Sequence, residues 1–121
     1  MKRILVIDDS GAIRKAIRRI LEGLSYEVTE AEDGLLALDT LVSGVRFDAV
    51  LCDIDMPNMD GLEFLGAVSK RGILAPPIIM CTTHTSFEKI QTAITLGATE
   101  YIMKPFDATI ISSKLEACGV A

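Results

Sequence analysis

The sequence predicts an α/β fold, an open and doubly wound sheet of five parallel strands with five helices. Strand-like and helix-like segments alternate five times along the 121 residues, at a spacing of roughly 20–25 residues that is typical of βαβ units. Such units are right-handed and place successive strands parallel to one another. Five units are too few to close an eight-stranded barrel, so an open sheet with helices on both faces is favoured.

The first β-α-β segment covers residues 2–30. Residues 2–8 are a short aliphatic run that ends in carboxylates, and residues 26–30 read as a second short strand. Between these strands Ser10 can cap a helix, and Gly23 lies near the end of that helix. Four apolar side chains at helical spacing form its predicted buried stripe: Ile13, Ile17, Ile20 and Leu24.

The second helix and the third strand follow directly. Asp33 opens the helix, Leu36 and Leu41 lie on its apolar side, and Gly44 closes it. Residues 49–52 form a short apolar run, as expected of a strand buried on both faces. This strand ends at another carboxylate, Asp53.

The last three helices and two strands complete the alternation. Asp60, Ser86 and Asp107 can cap the three helices, and Gly97 ends the middle one. Residues 77–82 and 100–103 are the fourth and fifth strands, and the first of these tolerates proline at its start. The apolar positions of the three helices are, in order, Leu62, Leu65 and Val68; Phe87, Ile90 and Ile94; and Ile111, Leu115 and Cys118.

Length and composition limit the class of protein. We expect residues 1–121 to form one domain with a packed core, since half of them are hydrophobic and about a quarter are charged. No apolar run approaches the ~20 residues of a membrane span. The apolar run near the N-terminus is too short for a secretory signal peptide. We therefore expect a cytoplasmic protein without a membrane span.

Charge and cysteine content argue against a general nucleic-acid-binding protein and against a cysteine metal site. A net charge of −5 argues against direct nucleic-acid binding by the surface as a whole. The three cysteines, Cys52, Cys81 and Cys118, are odd in number and lack metal-ligand spacing. We expect three reduced and buried thiols.

Five polar side chains fall at the carboxyl ends of the predicted strands. They are Asp8 and Asp9 after the first strand, Asp53 after the third, Thr82 at the end of the fourth and Lys104 after the fifth. In an open parallel sheet these ends meet at one edge, where ligands bind. Each residue alone has an ordinary explanation as a cap, a turn or a solvated side chain. Their placement on four different strands predicts a common site.

The residue types at this edge fit phosphoryl chemistry. Three carboxylates placed together repel one another unless a cation lies between them. Hard oxygen ligands favour Mg2+. A carboxylate can attack phosphorus to give an aspartyl phosphate, while an ammonium group and a hydroxyl stabilise the transferred phosphoryl oxygens.

These motifs resemble those of bacterial two-component response regulator receiver domains. The resemblance rests on residues 4–10 with their acidic pair, on residues 53–61 with their Met-Pro and Asp-Gly pairs, and on the Lys-Pro-Phe motif at 104–106. Thr82 matches the switch hydroxyl of the family and Tyr101 its switch aromatic. The resemblance covers essentially the whole chain and implies a flavodoxin-like fold with the strand order 2-1-3-4-5, as in the chemotaxis receivers.

The resemblance also implies roles for the acidic residues. Asp53 is the expected phosphoacceptor, and Mg2+ is the expected cofactor. Asp9 is expected to bind the metal directly and Asp8 mainly through water, with Asp53 and the backbone carbonyl of Asp55 as the other protein ligands. Lys104 and Thr82 are expected to hold the phosphoryl oxygens, and the Lys104–Pro105 peptide bond is expected to be cis.

Partners and switching follow from the same resemblance. The expected donor is a sensor histidine kinase or a phosphotransfer protein, and the expected output is binding to an unidentified downstream protein through the face of the fourth helix, fifth strand and fifth helix. Thr82 and Tyr101 are the expected switch residues. The protein is expected to be a monomer or weak dimer, and to catalyse only its own phosphorylation and dephosphorylation. Basic residues of the first helix are expected to steer an acidic donor: Arg14, Lys15, Arg18 and Arg19.

Three questions stay open at the level of sequence. Asp53 and Asp55 also match the Asp-x-Asp motif of haloacid dehalogenase-like phosphatases, although in that family the motif follows the first core strand. A receiver-like interaction module that is never phosphorylated is a further alternative. Residues 55, 83 and 84 occupy positions that adjust the phosphoryl lifetime in the family. A stand-alone regulator and a receiver trimmed from a longer protein both fit the chain.

Overall fold

A computed structural model describes residues 1–82, 87–104 and 107–120 of the chain. The described strands are β1 Arg3–Ile7, β2 Glu27–Ala31, β3 Ala49–Asp53, β4 Ile78–Thr82 and β5 Glu100–Met103. The helices are α1 Gly11–Gly23, α2 Gly34–Leu41, α3 Gly61–Lys70, α4 Phe87–Thr95 and α5 Ala108–Ala117. The alternation predicted from the sequence is therefore confirmed.

All neighbouring strands of the sheet are parallel, in the order β2-β1-β3-β4-β5. This order confirms the expected doubly wound topology. It places β1 and β3 side by side at the centre, so that the chain leaves their carboxyl ends toward opposite faces of the sheet. The crevice that results lies beyond the ends of the strands that carry the candidate residues.

The sheet separates two apolar clusters, because alternate residues of each buried strand point to opposite faces. One cluster joins Leu5 and Val50 of the sheet to α2, α3 and α4. The other joins Ile4 and Leu51 to α1 and α5. With both faces covered, all five residues of β3 and of β4 are buried, as expected for a parallel sheet.

Polar side chains cap four of the helices as predicted. Ser10, Asp33, Asp60 and Asp107 each accept a hydrogen bond from the backbone N–H group three residues further along the chain. Each cap satisfies one of the amides that the first turn leaves unpaired. At α3 the cap is reciprocal, because the Glu63 carboxylate accepts a bond from the backbone of Asp60. The predicted cap at residue 86 lies outside the described residues.

The helix faces depart from the predicted stripes in three of the helices. The predicted stripe of α4 is wrong for two of its three residues, since Phe87 and Ile94 are exposed and the helix buries Ala93. Ile13 of the predicted α1 stripe is 38% exposed, whereas Ile17 of that stripe is buried together with Leu21, which the stripe did not include. Leu36 of α2 is also exposed, while its neighbours Ala37 and Leu38 are buried. Only the side of each helix that packs against the rest of the protein is buried, so an apolar side chain on another side stays exposed.

The cysteines are free, but only two are fully buried. Cys52 and Cys81 lie inside the sheet, whereas Cys118 at the end of α5 is partly exposed. Burial raises the pKa of the Cys81 thiol to about 12. Among the described residues, no helix is long and apolar enough to cross a membrane.

Gly61, the first residue of α3, lies against the backbone that carries Asp53. A Cβ atom there would lie 2.4 Å from the Asp53 carbonyl oxygen and 2.9 Å from the Ile54 Cα atom. These neighbours are backbone atoms of the strand that carries Asp53, so they cannot yield without moving that strand. The Gly61 N–H group also donates to the Ile54 carbonyl at 2.8 Å.

The first prediction follows from this close approach. Gly61→Ala should lower the free energy of unfolding by about 1–3 kcal/mol, the usual cost of overpacking. Gly66→Ala in the same helix is the matched control, because a Cβ atom there has no neighbour within 4 Å. The control should be neutral, or stabilising by up to about 1 kcal/mol. Urea unfolding measures both, and equal stability of the two variants would contradict the packing account.

Candidate functional site

The five predicted polar residues meet at the carboxyl edge of the sheet. The Lys104 Nζ atom lies 2.8 Å from Asp8 Oδ2 and 3.2 Å from Asp53 Oδ1. Asp8, Asp53 and Thr82 are buried, and Asp9 is exposed at the rim. Residues as far apart in the chain as 8 and 104 are therefore joined by one ammonium group.

The three carboxylates form a group that can hold a cation. Asp8, Asp9 and Asp53 each offer one oxygen, and these three oxygens lie within 4.8 Å of one another. Oxygens that share one octahedral Mg2+ ion are about 3–4 Å apart, given metal–oxygen distances near 2.1 Å. A contraction of about an ångström would thus bring the donors to a single ion. The donor set is of the hard oxygen type that Mg2+ prefers.

Backbone contacts hold Asp8 and Asp53 in place. The Asp8 carboxylate accepts a hydrogen bond from the Ser10 N–H group at 2.9 Å, and the Asp8 N–H group continues the β1–β2 ladder to Ala31. Asp53 is the last residue of β3 and pairs with Cys81 of β4. Asp53 therefore projects from the end of β3, and Asp8 from the residue that directly follows β1.

The pKa values in the site follow from burial and from the excess of negative charge. Burial raises the pKa of Asp53, the Lys104 ammonium opposes this shift, and the charges of Asp8 and Asp9 add to it. Burial acts to lower the pKa of Lys104, but its hydrogen bond to Asp8 and the charge of Asp53 outweigh burial and raise it. The pKa of Asp53 is thus raised chiefly by burial, and the pKa of Lys104 is raised by its carboxylate partners. Lys104 is therefore held in its charged form.

Thr82 links the fourth and fifth strands at this edge. It ends β4 and is buried, and its carbonyl oxygen accepts a hydrogen bond from the Lys104 N–H group at 2.7 Å. The backbone that carries the hydroxyl is thus bonded directly to the residue that carries the ammonium group. The predicted cis bond before residue 105 and the positions 83 and 84 lie outside the described residues.

Asp55 lies beside the site with an exposed side chain. Its carboxylate pairs with Lys89 of α4 at 3.1 Å. The sequence did not indicate Lys89, because nothing in the helical pattern shows that α4 approaches the loop after β3. The expected role of the Asp55 carbonyl as a metal ligand stays a prediction.

Tyr101 of β5 is in an exposed position. Its side chain is 38% exposed, and the Lys114 Nζ atom lies 5.3 Å from the centre of its ring. The same ammonium group pairs with Glu100 at 3.0 Å. Lys114 thus supports the outward ring by a cation–π contact.

Glu30 of β2 pairs with three basic side chains, a network that could not be seen from the sequence. Its carboxylate pairs with Arg14 at 3.0 Å, with Lys15 at 2.8 Å and also with Arg18. The hydrogen bond from Lys15 lowers the pKa of Glu30, and the bond from Arg14 acts in the same direction against the effect of burial. Three of the four cations expected to steer a donor therefore form ion pairs with Glu30 of the same chain, and Arg19 is exposed.

Comparison with known proteins identifies the class. Residues 4–116 match the model of the response regulator receiver domain, so the chain belongs to this family of two-component signalling proteins. More particularly, it is CheY-like. It is 37% identical to the chemotaxis protein CheY1 of Helicobacter pylori over 116 residues, 94% of each chain.

Solved structures agree with this assignment. The chemotaxis protein CheY4 of Vibrio cholerae is 38% identical, with a TM-score of 0.89 over 98% of each chain. The response regulator TrrA of Thermotoga maritima, solved in complex with Mg(2+)-BeF, is 34% identical, with a TM-score of 0.85 over 98% of this chain and 99% of that one. Since the chain belongs to the receivers, the haloacid dehalogenase-like alternative is set aside.

Proposed function

We propose that residues 1–121 act as one phosphoacceptor receiver that takes a phosphoryl group on Asp53 from a sensor histidine kinase or a phosphotransfer protein. The observation that carries the proposal is the contact of one ammonium group, on Lys104, with both Asp8 and Asp53. This contact brings the nucleophile Asp53, a second carboxylate on Asp8 and a positive charge together at one edge of the sheet. Structural ion pairs alone would not require the buried Thr82 hydroxyl at the same place.

The chemistry of the step uses the side chains in distinct roles. An Asp53 carboxylate oxygen attacks the phosphorus atom of the donor, and the bond from phosphorus to the donor breaks with its electron pair left on the donor. The Lys104 ammonium is placed to stabilise the phosphoryl oxygens as charge redistributes, and the Thr82 hydroxyl can donate a further hydrogen bond to them.

The acidic group fits a Mg2+ ion, and we assign its ligands as the family resemblance implies. Asp9 and Asp53 would bind the ion directly, Asp8 mainly through water, and Asp55 through its backbone carbonyl. The bound ion would neutralise part of the charge that the phosphoryl group brings into an already negative site. The complex named for the Thermotoga maritima relative contains Mg2+ and a fluoroberyllate, a mimic of such a phosphoryl group.

A prediction on the acceptor tests the central assignment. With Mg2+ and acetyl phosphate, the intact mass of the wild type should rise by one phosphoryl group. Asp53→Asn should show no such rise, because an amide of the same shape is not a nucleophile for phosphorus. Asp55→Asn is the matched control and should still be labelled. Labelling of Asp53→Asn to the wild-type extent would show that the acceptor is elsewhere.

We further propose that phosphorylation changes the face formed by α4, β5 and α5. A phosphoryl group on Asp53 offers oxygens that can draw the Thr82 hydroxyl inward. The movement would vacate space on the side of Tyr101, whose ring now lies outward against Lys114. A downstream protein that binds this face would then distinguish the two ring positions. The free-energy difference needed is modest, since about 1–3 kcal/mol changes affinity roughly 5–150-fold.

The switch prediction can be tested before any target is known. The protein has two tyrosines, Tyr26 and Tyr101, and no tryptophan, so NMR of labelled tyrosine reports each ring separately. Beryllofluoride should move the Tyr101 signals of the wild type. In Thr82→Ala most of that movement should be lost, while Thr82→Ser, which keeps a hydroxyl, should retain it. Tyr26 is the internal control, and a full Tyr101 response in Thr82→Ala would contradict this route.

A further inference from the structure

Asp9 differs from the other two carboxylates of the acidic group in how it is held. Asp8 is bonded by Ser10 and Lys104, and Asp53 by Lys104. Within the described residues, no hydrogen bond and no ion pair holds the carboxylate of Asp9, which is exposed at the rim. Its direction therefore depends on the backbone from which it projects.

Arg14 contacts that backbone. Its Nη1 atom donates to the Asp8 carbonyl oxygen at 2.6 Å. This oxygen and the Asp9 N–H group belong to one peptide unit, which is planar. A hydrogen bond that holds the oxygen therefore also fixes the orientation of the peptide from which Asp9 leaves.

Glu30 in turn holds the guanidinium of Arg14. The Arg14 Nε atom donates to Glu30 Oε1 at 3.0 Å, and the two side chains are only 17% and 12% exposed. Glu30 lies opposite Val6 in the β1–β2 ladder, close to the end of β1. The guanidinium thus forms a fork between a carboxylate on β2 and the carbonyl after β1, a geometry that a lysine cannot reproduce.

We propose that Arg14, oriented by Glu30, is a positioning residue that aims the Asp9 carboxylate at the Mg2+ site. The inference rests on the proposed function, because it assumes that Asp9 is a metal ligand. It assigns Arg14 a part inside the receiver in place of the donor-steering part expected from the sequence.

A positioning role of Arg14 and a purely electrostatic role predict opposite changes in Mg2+ affinity when Arg14 is removed, which makes the inference testable. Removing a positive charge beside an acidic site should tighten Mg2+ binding if Arg14 acted only through its charge. Losing the support of a metal ligand should weaken binding, and such losses typically reach about tenfold or more. Arg14→Lys keeps the charge and removes the fork, so it isolates the positioning effect.

Arg18 supplies a matched control. It also pairs with Glu30, and its Nη2 atom donates to a backbone carbonyl, that of Val28, at 2.8 Å. Its hydrogen bonds and ion pairs within the described residues go to Val28, Glu30 and Glu22, and none goes to Asp8. Arg18→Lys therefore removes a similar fork at a distance from the metal site, and a role confined to stability would affect the two variants alike.

The experiment is calorimetric titration of Mg2+ into the whole chain, with urea unfolding of each variant. Arg14→Lys should raise the Mg2+ Kd about tenfold, whereas Arg18→Lys should change it less than about twofold at similar loss of stability. Asp9→Ala should raise the Kd as well, and adding Arg14→Lys to it should raise the Kd no further.

Two results would overturn the inference while leaving the proposed function intact. One is an unchanged Kd in Arg14→Lys, and the other is equal weakening in the two lysine variants. If Asp9→Ala binds Mg2+ with the affinity of the wild type, Asp9 is not a ligand, and the inference fails at its premise. A wild type that does not bind Mg2+ would overturn the proposed function itself.

Discussion

The contact of the Lys104 ammonium with Asp8 and Asp53 is the interaction on which the rest of the site depends. The charges of Asp8 and Asp9 act to raise the pKa of Asp53, and the ammonium group acts in the opposite direction, which favours the ionised form that can attack phosphorus. One ammonium group offsets only part of the negative charge of three carboxylates, and burial keeps the pKa of Asp53 raised. The site is thus stable enough to form alone and still negative enough to favour a divalent cation.

The parallel topology makes this arrangement possible. A sheet whose strands all point one way brings the carboxyl ends of β1, β3, β4 and β5 to one edge, where residues from all four strands can come within hydrogen-bond distance. The residues that hold the backbone of Asp8 and Asp53 in place lie outside the site itself. Gly61 lets α3 begin against the strand of Asp53, and Arg14 with Glu30 ties α1 and β2 to the backbone of Asp8. The fold and the chemistry therefore share the same few contacts.

The fold and the residues of the candidate site could largely be predicted from the sequence, because periodicity, caps and strand-end positions are local signals. The pairing of Glu30 with Arg14 and that of Asp55 with Lys89 could not. Each of these ion pairs joins elements whose separation depends on how the helices pack on the sheet. The spacing of residues along the sequence does not indicate either pair. The exposure of Ile13 has the same origin, since the line of contact between helix and sheet selects which apolar side chains are buried.

We infer that the Lys104 ammonium holds the place of a divalent cation in the acidic group. Calorimetric titration of Mg2+ into the wild type and Lys104→Met tests this claim most directly, because a methionine of similar length removes the charge and keeps much of the side-chain volume. We expect tighter Mg2+ binding in the variant, since the ion no longer competes with the ammonium for Asp8 and Asp53. Weaker or unchanged binding in a folded Lys104→Met protein would contradict it.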